Sequence, residues 1–113
     1  MTTAETHRAV VATLDEARAA IEAARSSGAV AELESPPGAA SVYGVLWFAE
    51  INRLLAAEFP GGAFVLELDC GDRADLAHAA LLEGLKRIRF HGHAQAAAAL
   101  RDIAKQLGAE VCA

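Results

Sequence analysis

Short runs rich in apolar and β-branched residues alternate along the chain with longer stretches whose apolar positions recur every three or four residues. The short runs predict strands at 7–12, 29–34, 64–69, 86–90 and 109–112, and the longer stretches predict four helices between them. In the first helical stretch Leu14, Ala17, Ile21 and Ala24 share one face, while Asp15, Arg18, Glu22 and Arg25 share the other. Thr13 stands just before it with Glu16 three residues on, the spacing of a capping box. Gly28, after Ser26 and Ser27, suits the left-handed residue that closes a helix.

The second helix, predicted over 42–58, carries Val45, Leu46, Trp47, Phe48, Ile51, Leu54 and Leu55, an apolar arc wider than one buried face requires. Such a helix is either central or part of an interface. Tyr43 and Trp47, four apart, are expected to stack on one side of it as core or subunit contacts. Asp72 is expected to cap the third helix, with Leu76, Ala79, Ala80 and Leu82 facing inward before Gly84 stops it. The fourth places Ala96, Leu100, Ile103 and Leu107 on one stripe and ends at Gly108.

The order is βαβαβαβαβ, and such alternation implies parallel strands joined by right-handed crossovers. Residues 1–6 read as a loose lead-in. Residues 7–113 read as a single α/β domain with a mainly parallel five-stranded sheet. Alternation within the strands then narrows the architecture. Val30, Glu32 and Glu34 fall opposite Ala31 and Leu33; Val65, Glu67 and Asp69 fall opposite Phe64, Leu66 and Leu68; Arg87, Arg89 and His91 fall opposite Ile88 and Phe90. One face is apolar and one is charged. Two arrangements accommodate this. One is a flavodoxin-like open sheet whose strand-tip charges reach solvent and whose Glu67 pairs with an arginine. The other is half of a (βα)8 barrel with every helix on one face, completed by a second copy.

Hydrophobic residues make up 54% of the sequence, largely Ala and Leu, which fits close helix packing and a globular chain. The net charge of −5 argues against nucleic acid and anionic membranes as partners, because Lys86, Arg87 and Arg89 form too short a basic group to reverse it. Two separated cysteines are too few for a disulfide framework and fit a reducing, cytoplasmic setting. No signal-peptide pattern opens the sequence. The longest apolar stretch, 42–57, is interrupted by Glu50 and Arg53.

Candidate chemistry gathers where parallel α/β folds put it, at the carboxyl ends of the strands. Ser35, Cys70, Gly71, Gly92 and His93 are the candidate ligand-binding residues, and Asp69, Asp72 and His91 the candidate catalytic ones. Gly92 before the fourth helix lets backbone N–H groups approach an anion, and Gly71 holds a similar place beside Asp72 and Asp75. Asp69, Cys70, His91 and His93 are ligand types for zinc, but two histidines flanking a glycine turn rarely aim at one ion, so neither metal nor cofactor is expected. Cys70 with His91 as base would form a nucleophilic pair, which Asp69 and Asp72 disfavour by opposing a thiolate. His7 and His78 read as structural.

These residues name no reaction. They are compatible with a self-associating domain that binds a small anionic ligand at its strand tips, with a non-catalytic interaction or regulatory module using the second helix or the charged sheet face, and with a small enzyme built on an acid and a histidine.

Overall fold

The computed structural model describes residues 6–113, so residues 1–5 of the lead-in expected over 1–6 lie outside the described residues, and Thr6 belongs to the first strand. The elements run β1 (Thr6–Val10), α1 (Leu14–Ser26), β2 (Val30–Glu34), α2 (Ala39–Tyr43), α3 (Val45–Glu58), β3 (Phe64–Asp69), α4 (Ala74–Leu82), β4 (Arg87–Arg89), α5 (Ala94–Leu107) and β5 (Glu110–Cys112). All five strands are parallel and form one open sheet in the order β1-β2-β3-β4-β5. The α/β class, the parallel sheet and the strand–helix alternation are those the periodicity predicts.

Helix α1 forms where the cap expects it. The Glu16 N–H donates to Thr13 Oγ1 at 3.2 Å, and the Glu16 carboxylate accepts from the N–H groups of Thr13 at 3.1 Å and Ala12 at 2.9 Å. Those bonds, the one from Ala12 foremost, hold the Glu16 carboxyl below its ordinary range. Ala17, Ile21 and Ala24 are buried, as the amphipathic pattern requires.

The second predicted helix is two. Gly44 adopts φ +91°, a conformation closed to most L-residues, and breaks 39–58 into the short α2 and the longer α3, so the described residues hold five helices where four were expected. Tyr43 and Trp47 therefore do not stack. The Tyr43 ring instead meets Phe48 edge to face, with centroids 5.8 Å apart and planes at 87°, while Trp47 Nε1–H donates to the Ala12 carbonyl at 2.8 Å. Asp72 is not a cap either: Arg73 is the N-cap residue of α4 and makes no side-chain capping bond. On α4 the buried residues are Ala77, Ala80 and Leu81, while Leu82 points outward; on α5 they are Leu100 and Ala104, and Leu107 is exposed.

A sheet whose order never reverses sends each right-handed crossover over the same face. The burial agrees. Ala31, Leu33, Leu66, Leu68 and Ile88 are buried on one side under a helical layer in which α1 packs on α3, α3 on α4 and α4 on α5. The opposite side carries Arg8, Glu32, Glu34, Val65, Glu67, Arg87, Arg89 and Glu110. The sheet is thus the expected open parallel sheet, with its helices on one face as the half-barrel alternative has them. Among the described residues no helix is long and apolar enough to cross a membrane.

Candidate functional site

Three regions carry polar or unpartnered groups: the strand tips, the open face of the sheet, and a groove between α1 and α3.

At the strand tips, pairing of β2 with β3 brings Ser35 to Asp69. Ser35 Oγ accepts from the Asp69 N–H at 2.8 Å and donates to the Pro36 carbonyl at 3.2 Å, and Asp69 Oδ1 in turn accepts from the Gly71 N–H at 2.8 Å. Ser35, Asp69 and Gly71 are thus joined, and the Ser35 hydroxyl and Asp69 Oδ1 bond to backbone groups of Pro36, Asp69 and Gly71. Cys70 turns inward and is buried. Burial, reinforced by the charge of Asp69, pushes its thiol up to about 12, far from the depressed value of a reactive cysteine.

The His91 N–H donates to the Gly71 carbonyl at 2.9 Å, which ties the β4–α5 turn to the β3–α4 turn, while the His91, His93 and Asp72 side chains lie exposed. Gly92 has a packing role. A Cβ there would collide with the Phe90 ring and stand 3.1 Å from the Asp72 carbonyl. Among the described residues no group of three His, Cys, Asp or Glu side chains could hold a metal ion. Ligand crevices of open α/β sheets form where the strand order reverses and neighbouring loops diverge to opposite faces. This sheet has no such reversal.

Ser35→Ala is therefore expected to destabilise the fold by about 1 kcal/mol, because the part-buried Asp69 N–H loses the buried Ser35 hydroxyl as its acceptor. Urea denaturation checks this; an unchanged midpoint would mean the hydroxyl is free for another use.

The open face of the sheet is a ladder of ion pairs. Arg8 Nε reaches Glu32 at 3.2 Å, Arg87 lies 3.5 Å from Glu32 and 2.6 Å from Glu110, and Arg89 grips Glu67 through Nη2 at 3.0 Å and Nε at 3.2 Å. The basic strand β4 thus meets the acidic strands β2 and β3, as the alternation predicts. The Arg87–Glu32 contact runs diagonally across β3, where Val65 lies opposite Glu32 and Glu67 opposite Arg87. Glu67 is only 7% exposed, and the paired guanidinium offsets the cost of holding a carboxylate there. Cys112 lies beside Glu67; burial and then the bond to that carboxylate raise its thiol.

The third region is apolar. Leu14, Tyr43, Leu46, Trp47, Ile51 and Leu54 line an open groove of about 620 Å³ between the start of α1 and the α2–α3 pair, with Asp15 and Glu50 beside them. Four of these residues are exposed, Leu46 at 69%, Trp47 at 48%, Tyr43 at 46% and Leu54 at 36%, while Ile51 is buried; Val42, 74% exposed, precedes Tyr43 in the chain. The broad arc of 42–58 announced surplus apolar surface. The opposite wall, from Thr13 to Asp15, came from no sequence signal, because it needs the Trp47–Ala12 bond and the α1–α3 packing to place it.

No protein-family model matches the chain, and no curated protein matches it.

Proposed function

We propose that the protein is a non-catalytic interaction module that takes an amphipathic helical segment of a partner protein into the groove between α1 and α3. The observation that carries this reading is that the exposed Tyr43, Leu46, Trp47 and Leu54 line one groove together. Scattered apolar residues are normal on a surface, whereas a continuous patch shaped into a groove marks a contact site. An apolar helix face laid in a groove presents anchors at every third or fourth residue, which matches a trough bounded by two helices.

Charge selects the partner. Asp15 and Glu50 line the groove and the chain carries a net charge of −5, so a segment with lysine or arginine flanking its apolar face is favoured over an acidic one. Trp47 is an anchored wall, its ring fixed by the bond to Ala12, and fixed aromatics make strong contact points. The strand-tip groups bond one another, and the high Cys70 thiol argues against nucleophilic chemistry there. Two free thiols fit a reducing, cytoplasmic compartment.

Trp47 is the sole tryptophan, so its emission reports on the groove directly. Titration with a model amphipathic Leu/Lys helix is expected to shift that emission to the blue and saturate, with a Leu/Glu helix of the same pattern binding at least about tenfold more weakly. Leu46→Asp should abolish the shift while leaving the fold intact. Emission that stays constant through millimolar Leu/Lys helix would overturn the reading.

A further inference from the structure

We propose that two copies of this chain join at their sheet edges, β5 of each beside β1 of the other, and close a barrel of five strands from each copy around the charged face. The inference uses a surface separate from the α1–α3 groove and does not depend on it.

Among the described residues both edges of the sheet are open: β1 pairs with β2 and β5 with β4, and no further strand flanks either. The two edges carry opposite charge on the same face. Arg8 of β1 is 73% exposed at its side chain and Glu110 of β5 is 56% exposed, each held from one side only, Arg8 by Glu32 and Glu34 and Glu110 by Arg87. Setting Arg8 of the second copy beside Glu110 extends the row Arg87, Glu110, Arg8, Glu32 with alternating sign across the junction.

The side-chain alternation matches as well. Arg8 and Val10 point to the open face and Ala9 to the helices; Glu110 and Cys112 point to the open face and Val111 to the helices. One parallel register therefore opposes Glu110 to Arg8, Val111 to Ala9 and Cys112 to Val10, so charge meets charge and the two half-buried apolar side chains, Ala9 and Val111, meet each other. It also covers Val10, 62% exposed in the single chain. A two-fold axis along the strands keeps every strand parallel, and both junctions form together, so the assembly closes rather than growing into a filament.

Closure of the ten strands would place the ion-pair ladder inside the barrel, where side chains of alternate residues point inward. The ladder is suited to that position because its carboxylates already have arginine partners, and no buried side-chain nitrogen or oxygen among the described residues lacks a hydrogen bond.

Light scattering across a dilution series tests the proposal. The wild-type chain, 11.8 kDa, is expected to run at twice that mass. Arg8→Glu and Glu110→Arg each set like charges at both junctions and should weaken the dimer about a hundredfold, roughly tenfold per junction. An equimolar mixture of the two variants sets opposite charges at both junctions again and should recover the dimer, which shows at the same time that each variant is folded. A wild-type monomer at every concentration, a dimer indifferent to both reversals, or two dissociated variants whose mixture stays monomeric would each overturn it.

Discussion

Gly92→Ala is expected to lower the stability of the fold by about 3 kcal/mol. The backbone at Gly92 lies outside the left-handed region, so alanine could adopt its conformation; the obstacle is space. The added methyl would collide with Cζ of Phe90, stand 2.8 Å from its Cε1 and lie 3.1 Å from the Asp72 carbonyl. Phe90 cannot yield cheaply, since it is buried and its N–H is bonded to the Cys112 carbonyl at 2.8 Å. Nor can Asp72 move freely, because the next turn is fastened through the His91–Gly71 bond. Guanidinium denaturation of the purified variant checks the value. A loss below about 1 kcal/mol would mean that Gly92 has room beside it, as an open anion cradle requires.

Phe48→Ala is expected to cost more, about 4 kcal/mol, which is a large part of the stability of a domain this size. Phe48 is fully buried, and its ring holds Tyr43 edge to face, so truncation opens a cavity under α3 and also releases the short helix α2. Two positions earlier, Leu46→Ala should change stability by no more than about 0.5 kcal/mol, because that side chain is 69% exposed. The contrast separates the two parts of one apolar helix. Denaturant midpoints of both variants measure it, and a large loss from Leu46→Ala would place Leu46 in the core and remove it from the groove.

Local features were legible in the sequence. The capping box of Thr13 and Glu16 involves neighbours only, and the period-2 alternation of Phe64–Asp69 separated its faces correctly and placed Glu67 opposite an arginine. What escaped was set by single residues or by contacts between distant segments. Gly44 sits inside an apolar run that reads as one helix, and nothing near it signals a positive φ. Once the helix breaks there, the spacing of Tyr43 and Trp47 loses its meaning. Asp72 stands one residue too early to cap α4, and the last-turn residues Leu82 and Leu107 face outward where the buried stripe has run out.

The strand-tip cluster was legible as a list of residues and not as an arrangement. Ser35 and Asp69 are brought together only by the pairing of β2 with β3, and that contact makes Ser35 an acceptor for backbone. The sequential strand order is likewise a long-range property. It decides that the helices share one face, leaves the opposite face to ion pairs, and removes the reversal at which such sheets form a crevice.

The proposed contact surface for a partner helix is the α1–α3 groove, and amide chemical shifts recorded as the Leu/Lys helix is added test that proposal most directly. The expected result is a set of perturbations at Leu14, Tyr43, Leu46, Trp47 and Leu54, with Ser35, Asp69, His91 and Gly92 unmoved. Perturbations confined to the strand tips, with the groove residues unchanged, would contradict it.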